Sequence, residues 1–466
     1  MKTTLWTIML LCAINNISAQ VKSQVKESFE LTSIAFRLAG AEEYINNTIP
    51  GYTADIDNYF SKYREHKLIS YIKKIREEQG IAYDAVPAAT GCIEIKRGKV
   101  IIDPQCDASK ISMIDSRWTE ESFRTFVRLL NDFYRQTKFK DFYTLHRGLY
   151  DIAETRLNTI LVDLNAEWFK SMFGEGPENT IVVASLCNGP GNYAFNGITK
   201  GEKRGIVIGC STDKEGNPYS RFLITVIVHE LLHHYTNPCL AQYWSQIDSA
   251  SQIIYPHVKE KMAKLAYGST NSTMIEWFNN LLTIMYFKDN PNRGFTATHL
   301  TAWRQHEGFI WMERSMTFME HFRNHRNLYS TIKDFMPEIV SFVNYTASDF
   351  DNVLKEYDNK EPYITDIFPI SNSILPLGID TIQIRFSKPM FGAYGIRPLD
   401  DKRISPPYTD YQPFWKDKYT FCIILDRSKL EKGKTYGFKL NRAFFQSEKT
   451  YPMKEDFPYT FKMPDE

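Results

Sequence analysis

Residues 226–238 read VIVHELLHHYTNP, three histidines and a glutamate carried on an apolar run. Polar side chains are costly beside such a run unless something compensates for their burial. Placed on a helix over residues 219–236, His229 and His233 lie one turn apart and about 40° from each other around the axis, so both imidazoles can reach one ion. His234 points well away from that direction and is not expected to be a ligand. Glu230 sits beside the first histidine, within reach of a water held there. The H-E-x-x-H pattern predicts two zinc ligands, His229 and His233, and a general base, Glu230, on one helical face. Zinc with neutral ligands brings the pKa of its water to about 7 and polarises a carbonyl. Glu230 takes the proton as that water attacks, then passes it to the leaving amine. The bland alternative is two histidines satisfied inside a folded core. The apolar helical setting, directly after a strand-rich stretch, argues against it.

A catalytic zinc needs a third protein ligand. TMIEWFNNLLTIMYF (273–287) reads as a following helix, and Glu276 is the one acid in it. A lone carboxylate among Met274, Ile275, Trp277, Phe278 and Leu281 is costly without a cation or a proton. Glu276 is therefore the candidate third ligand; the alternative is a solvent-facing position on an amphipathic helix. Asn280, one turn later, is the candidate to orient a ligand histidine from outside the coordination sphere. Cys239 is the candidate fourth ligand if the site is instead closed and structural.

Outward from this stretch the texture alternates. Residues 24–80 place apolar side chains at three- and four-residue intervals and predict helices stopping at Gly40 and Gly80. Residues 121–139 predict an amphipathic helix, and 150–174 one or two more. NTIVVASL (179–186), NYAFNGI (192–198) and RGIVIGC (204–210) predict three short strands, followed by helices from Ser220 to about Val343. A second change falls at 358–362. Beyond it PYITDIFP, IDTIQIRFS, YTFCIILD, KTYGFKLN and FPYTFKM read as strands divided by turns, so residues 361–466 predict a β-sandwich. The expected fold class is α+β.

Composition narrows the partners. The 466 residues hold 56 Lys+Arg against 55 Asp+Glu, a balance that argues against a nucleic-acid partner. Aromatic residues make up 14 %, which suits either a peptide- or sugar-binding surface or an aromatic core. MKTTLWTIMLLCAINNISAQ has the form of a secretory signal, with Lys2, an apolar stretch from Leu5 to Ile14 and cleavage expected after Ala19. The apolar stretch is too short to span a bilayer, and no later segment reads as a transmembrane anchor. A periplasmic or released product is expected, in which cysteines can oxidise. Cys92 and Cys106 flank a hairpin turning at Arg97-Gly98 and are the first candidate disulfide; Cys187 and Cys210 could face each other across neighbouring strands.

EWFNN (276–280) resembles the Glu-x-x-x-Asp element of gluzincin peptidases, with Asn280 where the acid usually stands. The metzincin arrangement fails, because Cys239 stands where that pattern wants a third histidine. Over residues 25–345 the chain resembles an uncharacterised family of exported bacterial H-E-x-x-H proteins. LTSIAFRLAG, DIDNYFSKYREH, LLNDFYRQTKF, SLCNGPGNYAFNG, VIVHELLHHYTNPCL and KDFMPEIVSFV carry that resemblance. It implies a zincin-like domain over 20–350 with an N-terminal helical lobe, zinc as cofactor and a peptide or protein as substrate. By analogy with zincins, SLCNGPGNYAFNG supplies the cleft wall, with Gly191, Asn192 and Tyr193 as substrate-binding candidates. A plain hairpin turn is the competing reading. Gluzincins also use a Tyr or His to stabilise the oxyanion, for which Tyr193, Tyr286 and His321 are candidates. Residues 379–390, IDTIQIRFSKPM, resemble bacterial Ig-like domains, implying an accessory module able to hold a partner. Two other functions fit the same residues: a zinc hydrolase acting on a non-peptide amide or ester, and a metal-stabilised binding module of an exported assembly.

Overall fold

The structure is a computed structural model that describes residues 21–465 except 197–203, 221–223, 292–295 and 408–412. The expected signal segment, 1–19, lies outside the described residues. The fold class is α+β. By contacts the chain divides into two compact units, Met1–Tyr235 and Thr236–Glu466. That division falls inside one long helix, Ile224–Lys264. The texture change expected near residue 360 is where the helix Phe350–Asp358 gives way to strands, within the second unit. No helix among the described residues is long and apolar enough to cross a membrane.

The first unit is built around a mixed sheet. Its described strands are β1 (Ser23–Gln24), β4 (Thr180–Ser185), β5 (Asn192–Asn196), β6 (Arg204–Thr212) and β7 (Pro218–Ser220); β2 (Ile93–Lys96) and β3 (Lys99–Ile102) form a separate hairpin. The order is β1-β4-β6-β5, with β7 paired to β6. β1, β4 and β6 run parallel, whereas β5 is antiparallel and ends the sheet. Val182, Val183, Ile206, Val207 and Ile208 are all buried, which is why these strands read as continuous apolar runs rather than alternating ones. Phe195 on β5 reaches into the core beside Phe29, Val183 and Val207. It fits because Gly205 has no side chain: a Cβ there would lie 2.0 Å from its ring.

The surrounding helices follow from periodicity and caps. Gly80 closes the helix Lys67–Gln79 in the left-handed conformation (φ 68°), its amide donating to the Arg76 carbonyl. The helix expected over 121–139 runs Glu120–Gln136, opened by a Thr119/Ser122 capping box. It stops early because Lys138 takes a positive φ of 52°, and a new helix, Phe139–Leu145, follows. In the β2–β3 hairpin Arg97 and Gly98 both have positive φ, 51° and 71°, the two-residue turn that suits the strand twist.

Neither expected disulfide is formed; all six cysteines among the described residues are thiols. Cys106 is hydrogen-bonded to Cys92 across the base of the hairpin rather than bridged to it. β4 and β6 are neighbours as expected, but Ser185 stands opposite Gly209, so Cys187 lies past the end of that ladder while Cys210 pairs with Ser220 of β7.

In the second unit the described strands are β8 (Ile364–Phe368), β9 (Ser373–Ile374), β10 (Thr381–Phe386), β11 (Ile396–Arg397), β12 (Phe414–Trp415), β13 (Thr420–Ile424), β14 (Thr435–Leu440) and β15 (Phe457–Lys462). They make two four-stranded sheets, β12-β13-β10-β8 and β11-β14-β15-β9. Ile382, Ile384, Phe386, Phe421 and Ile423 of one sheet share a core with Phe438, Leu440, Tyr459 and Phe461 of the other. This is the two-sheet packing of a sandwich.

Candidate metal centre

Helix Ile224–Lys264 carries the H-E-x-x-H residues. Ile227, Val228, Leu231 and Leu232 are fully buried, and each such side chain contributes about 1.5–3 kcal/mol by leaving water. His229, Glu230 and His233 lie on a different side of the helix and stay partly exposed. The His229 and His233 rings stand 4.9 Å apart, centroid to centroid, with planes nearly perpendicular. The helix continues through Pro238 rather than ending near residue 236. Proline has no N–H, so the His234 carbonyl loses its usual partner four residues on.

His234 is separate from this pair. It is only 4 % exposed, and its Nδ1 lies 3.1 Å from Asn196 Oδ1 on β5. Burial, with Arg204 and His233 adding to it, lowers its pKa to about 3. It is a neutral core histidine that ties the helix to the last strand of the sheet.

Glu276 lies on the helix Thr270–Asp289, opened by a Ser269/Ser272 capping box. Ligand atoms of His229, His233 and Glu276 lie within 4.8 Å of one another. Cys239 is not part of that group among the described residues. Asn280 Nδ2 donates 2.8 Å to the Glu276 carbonyl, bracing that turn of the helix. A residue the sequence reading passed over has a clearer role. The Tyr267 phenol is pushed well above its usual pKa by burial and then by Glu276, whose carboxylate it also hydrogen-bonds. Its only signal in the sequence is a tyrosine just before the cap of the Glu276 helix.

Of the cleft-wall candidates, Gly191 ends the segment that joins β4 to β5, and Asn192 and Tyr193 begin β5. This segment is not a hairpin turn, because β6 lies between the two strands it joins. Gly189 has a positive φ of 64°, and a Cβ on Gly209 of β6 would come 2.0 Å from the Gly189 carbonyl oxygen, so the loop rests directly on β6. Asn192 is occupied internally: its Oδ1 accepts from the Gly209 amide and its Nδ2 donates to the Pro190 carbonyl. Gly191 leaves room for the Tyr193 hydroxyl, which a Cβ would meet at 2.6 Å. Tyr193 has its pKa raised by burial first, then by Glu43, Asp84, Tyr83 and Glu230, so its phenol senses the charge of the candidate base. The other two oxyanion candidates are placed elsewhere. Tyr286 is fully buried and about 15 Å along the helix from Glu276. His321 is exposed and stacks near His325, ring centroids 4.2 Å apart.

The profile of Domain of unknown function (DUF4932) matches residues 21–342. The chain belongs to that family. No curated protein and no solved structure matches it.

Proposed function

We propose that the chain is an exported zinc-dependent metallopeptidase with a zincin-like catalytic part, in which His229, His233 and Glu276 hold the metal and Glu230 is general base and acid. The observation that carries this reading is the approach of the three donor side chains to within 4.8 Å, with Glu230 next to the first of them in sequence. Tetrahedral zinc bonds of about 2.0–2.1 Å separate two donors by about 3.3 Å. Modest side-chain rotation therefore closes the set on one ion, and two imidazoles with one carboxylate are a donor set zinc accepts. Three protein ligands leave a coordination position open, the arrangement of a catalytic rather than a structural centre. When bound, the metal supplies Lewis-acid polarisation of the scissile carbonyl and a nucleophile at neutral pH.

The chain's own residues supply the rest. Glu230 holds the proton on its carboxylate and delivers it to the leaving nitrogen. An extended peptide adds to β5, the antiparallel last strand of its sheet, through main-chain hydrogen bonds. Tyr193, on that strand and close enough to feel Glu230, is the favoured hydroxyl for the developing oxyanion. The C-terminal sandwich is Ig-like and accessory, a reading supported by FSKPM at 386–390. Export follows from residues 1–19, and N-terminal sequencing of the secreted chain should begin at Gln20.

Purified protein should carry about one zinc per chain, as a mononuclear site requires. Glu230→Gln should keep that zinc and lose about 10²–10⁴-fold in peptide hydrolysis. Full activity in this variant against a peptide library would overturn the mechanism.

A further inference from the structure

A second glutamate, far from the zinc motif in sequence, is wholly enclosed. Glu30 is 0 % exposed, on the helix Glu27–Leu38. Its Oε1 accepts from the Ser185 hydroxyl at 2.7 Å and the Leu186 amide at 2.8 Å. Its Oε2 accepts from the Tyr52 hydroxyl at 2.7 Å and the Cys187 amide at 3.3 Å. Tyr52 in turn meets the Tyr150 hydroxyl at 2.8 Å. All four donors to the carboxylate are neutral, and no lysine or arginine among the described residues pairs with it. Burial raises its pKa while the four hydrogen bonds oppose that rise. A well-packed apolar side chain would usually stabilise a core as well or better than a buried charge. What the carboxylate adds is direction: two consecutive backbone amides, at 186 and 187, are turned toward one acceptor.

Those amides open the loop that becomes β5. From the same turn, the Cys187 carbonyl accepts from Asn46 Nδ2 at 3.3 Å, and Asn188 Nδ2 donates 2.6 Å to the Gly191 carbonyl. The loop then rests on Gly209, and two residues after Gly191 comes Tyr193. We infer that Glu30 is a positioning residue for the substrate-binding wall: it acts through the 186–187 turn to set where β5 and Tyr193 stand. The inference deepens the peptidase reading and rests on it for its kinetic arm alone.

Glu30→Gln tests it. The substitution keeps size, but its amide group confronts the Cys187 N–H, donor against donor. In the full chain, amide hydrogen exchange at Leu186 and Cys187 should speed up at least about tenfold, with zinc content unchanged. For a peptide that the wild type cleaves, KM should rise about tenfold with kcat falling no more than about threefold, the signature of lost ground-state binding. Tyr52→Phe removes a donor from the same carboxylate without touching the loop, so exchange at 186–187 and KM should both stay near wild type. Equal exchange in wild type and Glu30→Gln would overturn the inference, as would a Tyr52→Phe variant whose KM moves as far. If Glu30→Gln does not fold, Glu30→Asp makes the same test, since the shorter side chain draws the carboxylate back from both amides. If the wild type cleaves no peptide, the peptidase reading fails, while the exchange measurement still decides whether Glu30 holds the turn.

Discussion

The proposed ligands differ from their neighbours in what surrounds them, not in residue type. His233 and His234 are adjacent, yet one stays partly exposed beside His229 and the other is sealed against Asn196. Because burial keeps His234 neutral, it adds no positive charge next to a cation held by His229 and His233. Glu276 needs a fixed rotamer to complete such a site, and the Tyr267 phenol is the group placed to fix it. Tyr267→Phe should therefore weaken zinc binding about 10–100-fold, as outer partners of metal ligands typically do when removed. Competition against a chromophoric chelator measures this directly. Unchanged affinity would leave Tyr267 as packing alone. The H-E-x-x-H spacing and the lone acid of the next helix were legible because helical geometry converts spacing into direction. Tyr267 was not, because a tyrosine outside any periodic pattern carries no mark of the carboxylate it meets.

Elements that depend on local periodicity were likewise readable. The runs at 179–186 and 204–210 are strands β4 and β6, and the Arg97-Gly98 turn closes its hairpin. What local sequence does not contain is strand order. SLCNGPGNYAFNG looks like a turn between partners, but β6 inserts itself between β4 and β5 after both have been written in the chain. Glu30 was hidden for the same reason: Ser185, which hydrogen-bonds it, is 155 residues away. Gly209 records the resulting crowding. A methyl group there would lie 2.0 Å from the Gly189 oxygen and 2.8 Å from the Gly191 oxygen, both backbone atoms unable to rotate aside. Gly209→Ala should cost about 1–3 kcal/mol of stability, the usual range for overpacking, and should displace the loop that leads to Tyr193. Denaturant unfolding reads the first effect, and a rise in KM for any cleaved peptide reads the second. Gly216→Ala is the contrasting control: that glycine, unlike Gly209, has a positive φ, 84°, and has nothing within 4 Å, so only backbone strain and no steric displacement is expected there.

At the scale of the whole molecule, the sandwich and the helices before it are tied together within the second unit by polar contacts rather than a linker. Tyr451 of the sandwich donates to Gln305, and Lys454 lies 3.3 Å from Asp358. Arg442 donates to His306 Nδ1 at 3.3 Å, while Lys261 donates to the His306 carbonyl at 3.1 Å. Burial, then Arg442 and Lys261, lower the His306 pKa to about 4. An unfolded histidine titrates near 6.5, so the folded chain resists a proton that the unfolded chain accepts. The stabilisation linked to His306 is therefore fully present above about pH 6.5 and is lost as pH falls toward 4. Protonation also places a hydrogen on the nitrogen that accepts from Arg442, which removes that hydrogen bond and sets three cations together. His306→Gln keeps an acceptor for Arg442 but has nothing to titrate. Its melting temperature should fall less than that of the wild type between pH 7 and pH 4.5, in thermal scans read by a sandwich aromatic signal. Parallel pH profiles for the two proteins would remove His306 as the acid-sensitive point of this junction.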